Sequence, residues 1–470
     1  MDVGGHVRVE REVAALVLLC VAQFVDVLDV NAVIVALHSI GQDLGFSQAG
    51  LQWVISAYVL FFAGFLLLSG RVADLWGRRR IFVAGLAIFT VASLCCGLSV
   101  SPEMLVVSRA IQGLGAATTA PAALSIITTI FAEGRERDRA VATWTAVAAG
   151  GGAAGLLLGG FITDVLGWEW IFFVNVPAGV AGIALSHVLL PESRDPAASR
   201  RLDLLGAGMV TSGLVLLVLG LTWTEEAGFG SPITLATLGF AAAFFGAFVL
   251  VERRAADPLV PLRLFRLREL VGAALVAFAL TAAPVGVLVT LYLQNTLGYS
   301  ASLAGLAGLP FSLCVIAGSM LGGRISERIG GRVTMSLGLA VVAASALVTT
   351  GITAEGGVAY VLASAALSGL GLGCASVAST ARGTSAVEEG KRGLASGFMN
   401  TSAPVGTALG LAALLTLAAT RTVALSDGAE SAAEALVAGY RLAFLVAAGV
   451  ASLGMVAALC YFRQAKNLDT

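Results

Sequence analysis

Fourteen apolar runs follow one another along this 470-residue chain, near 13–37, 51–70, 81–100, 104–126, 141–163, 169–190, 204–223, 231–251, 270–293, 302–323, 333–352, 357–379, 395–419 and 439–462. Each is close to the roughly 20 residues that a helix needs to cross a hydrocarbon core. In lipid every backbone N–H and C=O must be satisfied within the protein, so only helices and closed barrels span, and runs of this length have helix dimensions. Composition points the same way. Hydrophobic residues make up 58% of the chain and charged residues 12%, about half the usual share of a soluble domain, which leaves too few charges for a water-facing skin. With 11 Pro and 57 Gly in no period of three, disorder and collagen-like repeats are excluded. The first run carries Asp26 and Asp29 and lacks a small-residue cleavage site before the next run, so it reads as a span and not as a cleaved leader. The expected fold class is an all-α integral membrane protein.

Basic residues test the count. Of the 28 Lys and Arg, 25 fall on the N-terminal side of the membrane when successive connections are assigned to alternating faces, among them Arg135, Arg137, Arg139, Arg253, Arg254 and Lys391. Only Arg421 and Arg441 fall opposite, and Arg109 lies within a span. Basic residues mark the cytoplasmic side, so both termini are expected in the cytoplasm, with the chain in the inner (plasma) membrane. An odd error in the count would scramble this split. Twelve or fourteen spans turns on the pair within 204–251, which is long and uncharged enough to cross. Asp195–Arg201 and Glu252–Arg268 are expected to be cytoplasmic linkers.

The chain repeats itself. Gly70-Arg71-Val72-Ala73-Asp74-Leu75-Trp76-Gly77-Arg78-Arg79 follows the second run, and Gly323-Arg324-Ile325-Ser326-Glu327-Arg328-Ile329-Gly330-Gly331-Arg332 follows the tenth. Setting the pair at 204–251 aside leaves six runs before and six after, with the copies in matching places. The expected organisation is a six-helix half at 13–190, two inserted helices at 204–251 and a second six-helix half at 270–462.

Few polar residues lie inside the spans. Asp26 and Asp29, three apart on one helix face, are the only acids well inside a run. A carboxylate at that depth is costly and marks a proton or ion pathway, unless helix partners satisfy it. Arg109 is the matching cation; its counterpart in the second half is Ala365, whereas Gly113 and Gly115 recur as Gly369 and Gly371. In the Gly70–Arg79 turn, Asp74 among Arg71, Arg78 and Arg79 offers a breakable ion pair, with Gly70 and Gly77 allowing close backbones. Gly151, Gly155, Gly159 and Gly160 permit close helix contact, and plain packing explains them as well as function does. Asn31, Trp53, Tyr58, Gln112, Asn175, Gln294 and Asn400 are candidates to face a cavity, or else to make interhelical hydrogen bonds. The six cysteines read as buried thiols without metal-ligand spacing. No basic patch suits a nucleic acid, and neither a phosphate-binding Gly loop with Lys nor a catalytic His motif is present.

The turn at Gly70–Arg79, the Arg109–Gly115 segment and the glycines at 151–160 resemble signature motifs of major facilitator transporters. Leu28-Asp29 with Val35-Ala36-Leu37, Gln52-Trp53 with Tyr58, Trp170 through Pro177, Pro258-Leu259 before Leu264-Phe265, Tyr292-Leu293-Gln294 with Leu297-Gly298-Tyr299, and Ser396-Gly397 with Asn400 resemble the fourteen-span drug:proton antiporters. The likeness runs from about 13 to 462, and three positions depart from it. Leu156 and His38 stand where the family usually has Pro, and Ala403-Pro404 where Arg-Gln is common. The resemblance implies two six-helix halves with two inserted spans. It implies export of hydrophobic or cationic drugs or antibiotics in exchange for protons, with the proton motive force in place of a cofactor. Asp29, with Arg109 tuning it, would exchange cargo for a proton, and the Asp74 turn would gate. The rival expectation on the same fold is a proton-linked transporter of one specific metabolite; a membrane enzyme or a sensor is disfavoured.

Overall fold

The computed structural model describes residues 3–131, 134–193, 203–228, 230–255, 258–260, 262–387, 392–425 and 431–462, without the side chains of 3–9, 48, 49, 138, 149, 225, 226, 392–397 and 400. Among these residues there are helices and no strand. Fourteen helices are long and apolar enough to cross a membrane. They are α1 (Glu10–Leu44), α2 (Trp53–Trp76), α3 (Arg78–Gly97), α4 (Pro102–Ile130), α5 (Arg135–Leu166), α6 (Glu169–Leu189), α7 (Leu204–Thr224), α8 (Pro232–Arg254), α9 (Arg268–Asn295), α10 (Ala301–Ile329), α11 (Gly331–Thr349), α12 (Val358–Ser385), α13 (Thr401–Leu425) and α14 (Ala432–Tyr461). An even number places both chain ends on one face, called here the terminal face.

Local chemistry sets the helix ends. Ser101 caps α4 through Met104 N at 3.2 Å, with Pro102 in the first turn. Ser431 and Glu434 form a reciprocal capping box at the start of α14. Gly77 (φ 111°) ends α2 and Gly330 (φ 86°) ends α10, so the two copies of the sequence repeat turn at equivalent glycines.

The repeat extends to packing. In the first half α1 packs on α5 and α6, α2 on α4, α3 on α4 and α6. In the second, α9 packs on α13 and α14, α10 on α12, α11 on α12 and α14, which is the same set of pairs. Between halves α2 meets α13 and α5 meets α10, again equivalent pairs. This is the major facilitator fold with fourteen spans.

The inserted helices are not equally peripheral. α8 buries only Thr234, Thr237, Ala241 and Glu252. α7 touches both α2 and α13: Gln52 Nε2 donates to Thr222 Oγ1 at 2.8 Å, and Thr211 fills the space beside Gly64. Glu252, expected to begin a solvated linker, is instead 3% exposed in the last turn of α8. The linker expected at 195–201 lies outside the described residues.

Two helices break. α9 is interrupted at Ala282-Ala283-Pro284 because Pro284 has no N–H to continue the ladder, and α10 is offset at Gly308. Of the cysteines, Cys20 and Cys96 are buried as expected. Cys460 is exposed, on an outward face of α14 where an apolar side chain meets lipid at no cost.

Candidate functional site

α1 carries Asp29 into the middle of the first half, where it is fully buried. Its Oδ2 accepts from Arg109 Nη1 at 2.6 Å. Its Oδ1 accepts from Gln112 Nε2 at 3.0 Å and from Asn175 Nδ2 at 2.7 Å. Arg109 is fully buried as well. Its Nε donates to the Val54 carbonyl at 2.9 Å, and Nη1 also donates to Gln112 Oε1 at 2.6 Å. The guanidinium lies 4.4 Å from the Tyr58 ring centroid and 5.7 Å from that of Phe172. Ser93 Oγ accepts from Gln112 Nε2 at 2.8 Å, and Cys96 Sγ sits 3.7 Å from Gln112 Oε1. The Tyr58 hydroxyl donates to Asp26, one turn closer to the terminal face.

A buried ion pair is tolerated only when hydrogen bonds satisfy its other lone pairs and protons. Here five helices supply them: α1, α2, α3, α4 and α6. Two of the network's polar atoms stay open among the described residues: Arg109 Nη2 and Asn175 Oδ1 are buried without a hydrogen-bond partner. Asp26 borders a small space of about 30 Å³, room for a single water. Gln23, Thr119 and Asn175 line it too.

Six of the residues singled out from sequence therefore meet in one network: Asp26, Asp29, Tyr58, Arg109, Gln112 and Asn175. Of the two roles expected for Tyr58, Gln112 and Asn175, all three make interhelical hydrogen bonds around the ion pair, and Asn175 also lines the small space beside Asp26. Ser93, Cys96 and the Val54 carbonyl escaped sequence reading; a serine or a backbone carbonyl carries no pattern that announces a distant partner.

The halves enclose a cavity of about 230 Å³ lined by Asn31, Ile34, Leu156, Thr290, Phe311, Ser368 and Thr407 among others. The broken segment of α9, Leu280 through Val289, forms much of its wall. Irregular backbone at membrane depth is tolerated where it lines a cavity. Asn31 reaches this cavity, with its Nδ2 bonded to Val27 O at 2.8 Å. Asp29 and Arg109 are absent from its walls, so in this conformation the ion pair does not touch the cavity. Trp53 is half-buried at the start of α2, away from it. Gln294 joins the halves instead, donating to Val35 O at 2.7 Å. The Asn400 side chain lies outside the described residues.

The glycines of α5 are contacts. A Cβ on Gly155 would lie 2.6 Å from Leu28 O, and one on Gly159 2.5 Å from Ala32 Cα, both on α1. Gly151 also faces α1, and Gly160 faces Ala301 of α10. Leu156, in the position of the family's proline, presses on Gly308 across the halves.

Two ends of the molecule differ. At the face opposite the termini the halves close. His38 Nδ1 pairs with Asn295 Oδ1 at 2.5 Å, and Asp164 accepts from Ala301 N at 3.1 Å and Ser302 N at 2.9 Å. Toward the terminal face, α2 and α13 are held apart by an apolar cavity of about 320 Å³, bounded by Ala63, Leu67, Phe398 and Val405 and roofed by Val210 and Leu214 of α7. In the Gly70–Arg79 turn, Asp74 pairs with Arg78 at 3.0 Å and with Ser125 Oγ at 3.4 Å, all within the first half. Arg78 also reaches Thr129. Arg79 and Arg80 face Glu192 at 3.7 and 3.6 Å, a partner that sequence reading missed. Gly77 leaves room for that same Glu192. Gly70 approaches Pro121 of α4, and Arg71 Nη2 donates to Pro258 O at 2.6 Å.

The sequence profile of the Major Facilitator Superfamily matches residues 19–250 and 270–469. The chain belongs to this superfamily of transporters. It is 43% identical over 429 residues to the cephamycin export protein of Amycolatopsis lactamdurans, covering 89% of this chain and 87% of that one. It is 39% identical to the puromycin resistance protein of Streptomyces alboniger, covering 94% and 90%. A likeness at 34% joins it to the tetracenomycin C resistance and export protein of Streptomyces glaucescens, covering 84% and 73%. Among solved structures it resembles an auto-inhibited POT family peptide transporter (TM-score 0.70, 17% identity, 97% of this chain and 99% of that one), a likeness of fold. This superfamily chain is thus a multi-pass membrane transporter, with a buried charge network in one half and an apolar cavity between the two.

Proposed function

We propose that the chain is a proton-coupled antiporter that exports hydrophobic or cationic drugs or antibiotics across the cytoplasmic membrane, with the terminal face in the cytoplasm. The observation that carries this reading is the fully buried Asp29–Arg109 pair, set in the first half only, on a helix that also lends Asn31 to the apolar cavity between the halves. The 25:2 division of basic residues supports the orientation, and relatives named for antibiotic export and resistance support the cargo class. The cavity wall favours this cargo over a small polar metabolite. Its polar groups are hydroxyls, an amide and backbone, with no charged side chain among those lining it.

In the mechanism, cargo enters from the cytoplasm or inner leaflet while the opposite face is shut. Protonation of Asp29 dissolves the ion pair and frees Arg109 to seek other partners. α1 carries both Asp29 and the cavity residue Asn31, so rearrangement of the network shifts the cavity wall. Asp26, beside its water-sized space, passes protons toward the cytoplasm. The halves then rock, with the Asp74 turn stabilising the outward-facing arrangement. No cofactor enters: about one pH unit supplies about 1.4 kcal/mol per proton, enough for an approximately tenfold gradient of a neutral compound.

The test uses inverted membrane vesicles with an acid lumen and a pH-sensitive dye. Adding lipophilic cations and antibiotics in turn is expected to draw protons from the lumen for at least one compound, and Asp29→Asn is expected to abolish the response. Proton-driven uptake under the opposite gradient, lost in the same variant, would overturn antiport.

A further inference from the structure

The cavity of about 320 Å³ between α2 and α13 plays no part in the mechanism above. It shares no lining residue with the cavity that Asn31 reaches. The side chains that line it are apolar except for Thr401 and Ser402. Water finds too few polar partners in such a space, and leaving it empty forfeits the contacts of its walls. An apolar occupant resolves both. Two lining residues also mark where the cavity opens. Phe265 is 52% exposed at the terminal face, and Leu275, on α9 (Arg268–Asn295), is 39% exposed. A rise of 1.5 Å per residue sets Leu275 about 10 Å below the start of its helix. The opening therefore runs from headgroup level to acyl-chain depth.

The mouth is basic. Leu262–Arg266 form a 3₁₀ turn between α8 and α9, anchored by buried Leu264. With three residues per turn, positions three apart eclipse, so Arg263 and Arg266 share one face and Leu262 and Phe265 another. Both arginines are exposed, and among the described residues neither is in an ion pair. Arg253 and Arg254, also exposed, end α8 beyond Phe248 of the cavity wall. The acids of these elements do not cancel this charge. Glu252 is buried and accepts from Leu259 N at 3.1 Å and Val260 N at 3.3 Å, and Glu269 is half-buried in the first turn of α9.

We infer that this cavity is a binding site for an anionic phospholipid of the leaflet at the terminal face. One acyl chain enters between α2 and α13 and packs on Val210 and Leu214 of α7, while Arg263 and Arg266 hold the phosphate. Charge decides among the apolar candidates. A lipophilic cation fits the walls but is repelled at the mouth, and a zwitterionic lipid offers a chain without net charge. An anionic headgroup joined to an acyl chain satisfies both ends, because basic residues at the membrane surface attract anionic lipid. The site stands on these contacts whether or not the chain exchanges drug for protons; only its place in the cytoplasmic leaflet rests on the orientation proposed above.

The test uses full-length protein in nanodiscs of phosphatidylcholine. A trace of phospholipid with a diazirine on one acyl chain is added, either as phosphatidylglycerol or as phosphatidylcholine, and adducts are mapped after irradiation. Leu214 is 5% exposed and is reached from the cavity. Phosphatidylglycerol is expected to mark it at least about fivefold more than phosphatidylcholine does, the preference that one basic residue gives at a membrane surface. Arg263→Gln with Arg266→Gln, at exposed positions, is expected to bring the two probes level. Lys at both positions is expected to restore the preference, since a point charge also holds a phosphate. Val405→Phe, which fills the cavity, is expected to remove the Leu214 adducts of both probes. Equal marking by both probes in the wild type, or a Gln pair that keeps the preference, overturns headgroup recognition. No adduct at Leu214 overturns the seated chain. Adducts chased by tetraphenylphosphonium would make the cavity a cargo site and overturn the lipid as its occupant.

Discussion

Asp29 and Arg109 each hold three hydrogen-bond partners, but only Asp29 can lose its charge by taking up a proton. Removing Arg109 leaves the Asp29 carboxylate buried, a change that costs about 3–5 kcal/mol when one partner of such a pair is lost. Arg109→Ala is therefore expected to lower the melting temperature in detergent markedly. Asp29→Asn added to it should restore most of the loss, since a neutral amide needs no counter-charge. Additive losses in the double variant would contradict a direct pair. Arg109→Lys keeps the charge but cannot reproduce the fork that binds the Val54 carbonyl, Asp29 and Gln112 together. It is expected to fold, with drug-induced proton flux falling at least about tenfold, the cost of losing one charge-assisted bond of about 1.5–3 kcal/mol. Flux equal to wild type would show that charge alone is required. Asp26, Asp29 and Arg109 were legible in sequence because a charge inside an apolar run is conspicuous. Ser93, Glu192 and the Val54 carbonyl were not, because their importance exists only once distant helices meet.

At the scale of elements, the spans were legible because lipid imposes a length on each. The breaks were less so: Pro284 lies inside an apolar run, and sequence does not say whether a proline kinks a span or interrupts it at a cavity. The α5 glycines illustrate what packing decides. Sequence left them open between contact and function, and the structure distinguishes them one by one. A Cβ on Gly155 meets the Leu28 carbonyl, whereas Gly150 has nothing within 4 Å. Gly155→Ala is expected to cost about 1–3 kcal/mol through overpacking against α1. Gly150→Ala is expected to be neutral or slightly stabilising, because alanine is favoured over glycine in a helix by up to about 1 kcal/mol. Thermal unfolding of the two variants side by side checks the contrast; equal effects would mean that α1 and α5 do not approach as closely as described.

At the scale of the whole molecule, the question is what holds one face shut. α10 begins with Ser300 as its own cap, and two further N–H groups of its first turn, Ala301 and Ser302, point at Asp164 at the end of α5. A carboxylate there meets both free donors and the positive end of the helix dipole. Unlike an ordinary cap it belongs to the other half, so its bonds exist only while this face is closed. Loss of a cap costs about 0.5–2 kcal/mol, and the open state pays nothing for it, so Asp164→Ala shifts the closed-to-open ratio by that amount, roughly 2- to 30-fold. Spin labels at Val165 and Leu303, exposed neighbours on the two helices, report the change as a distance distribution. A long-distance population that grows in Asp164→Ala and shrinks again in Asp164→Glu would establish the carboxylate as a latch. An unchanged distribution would leave closure to the packing of Gly160 on Ala301 and of Leu156 on Gly305. The latch would then be a consequence of the closed state and not its cause.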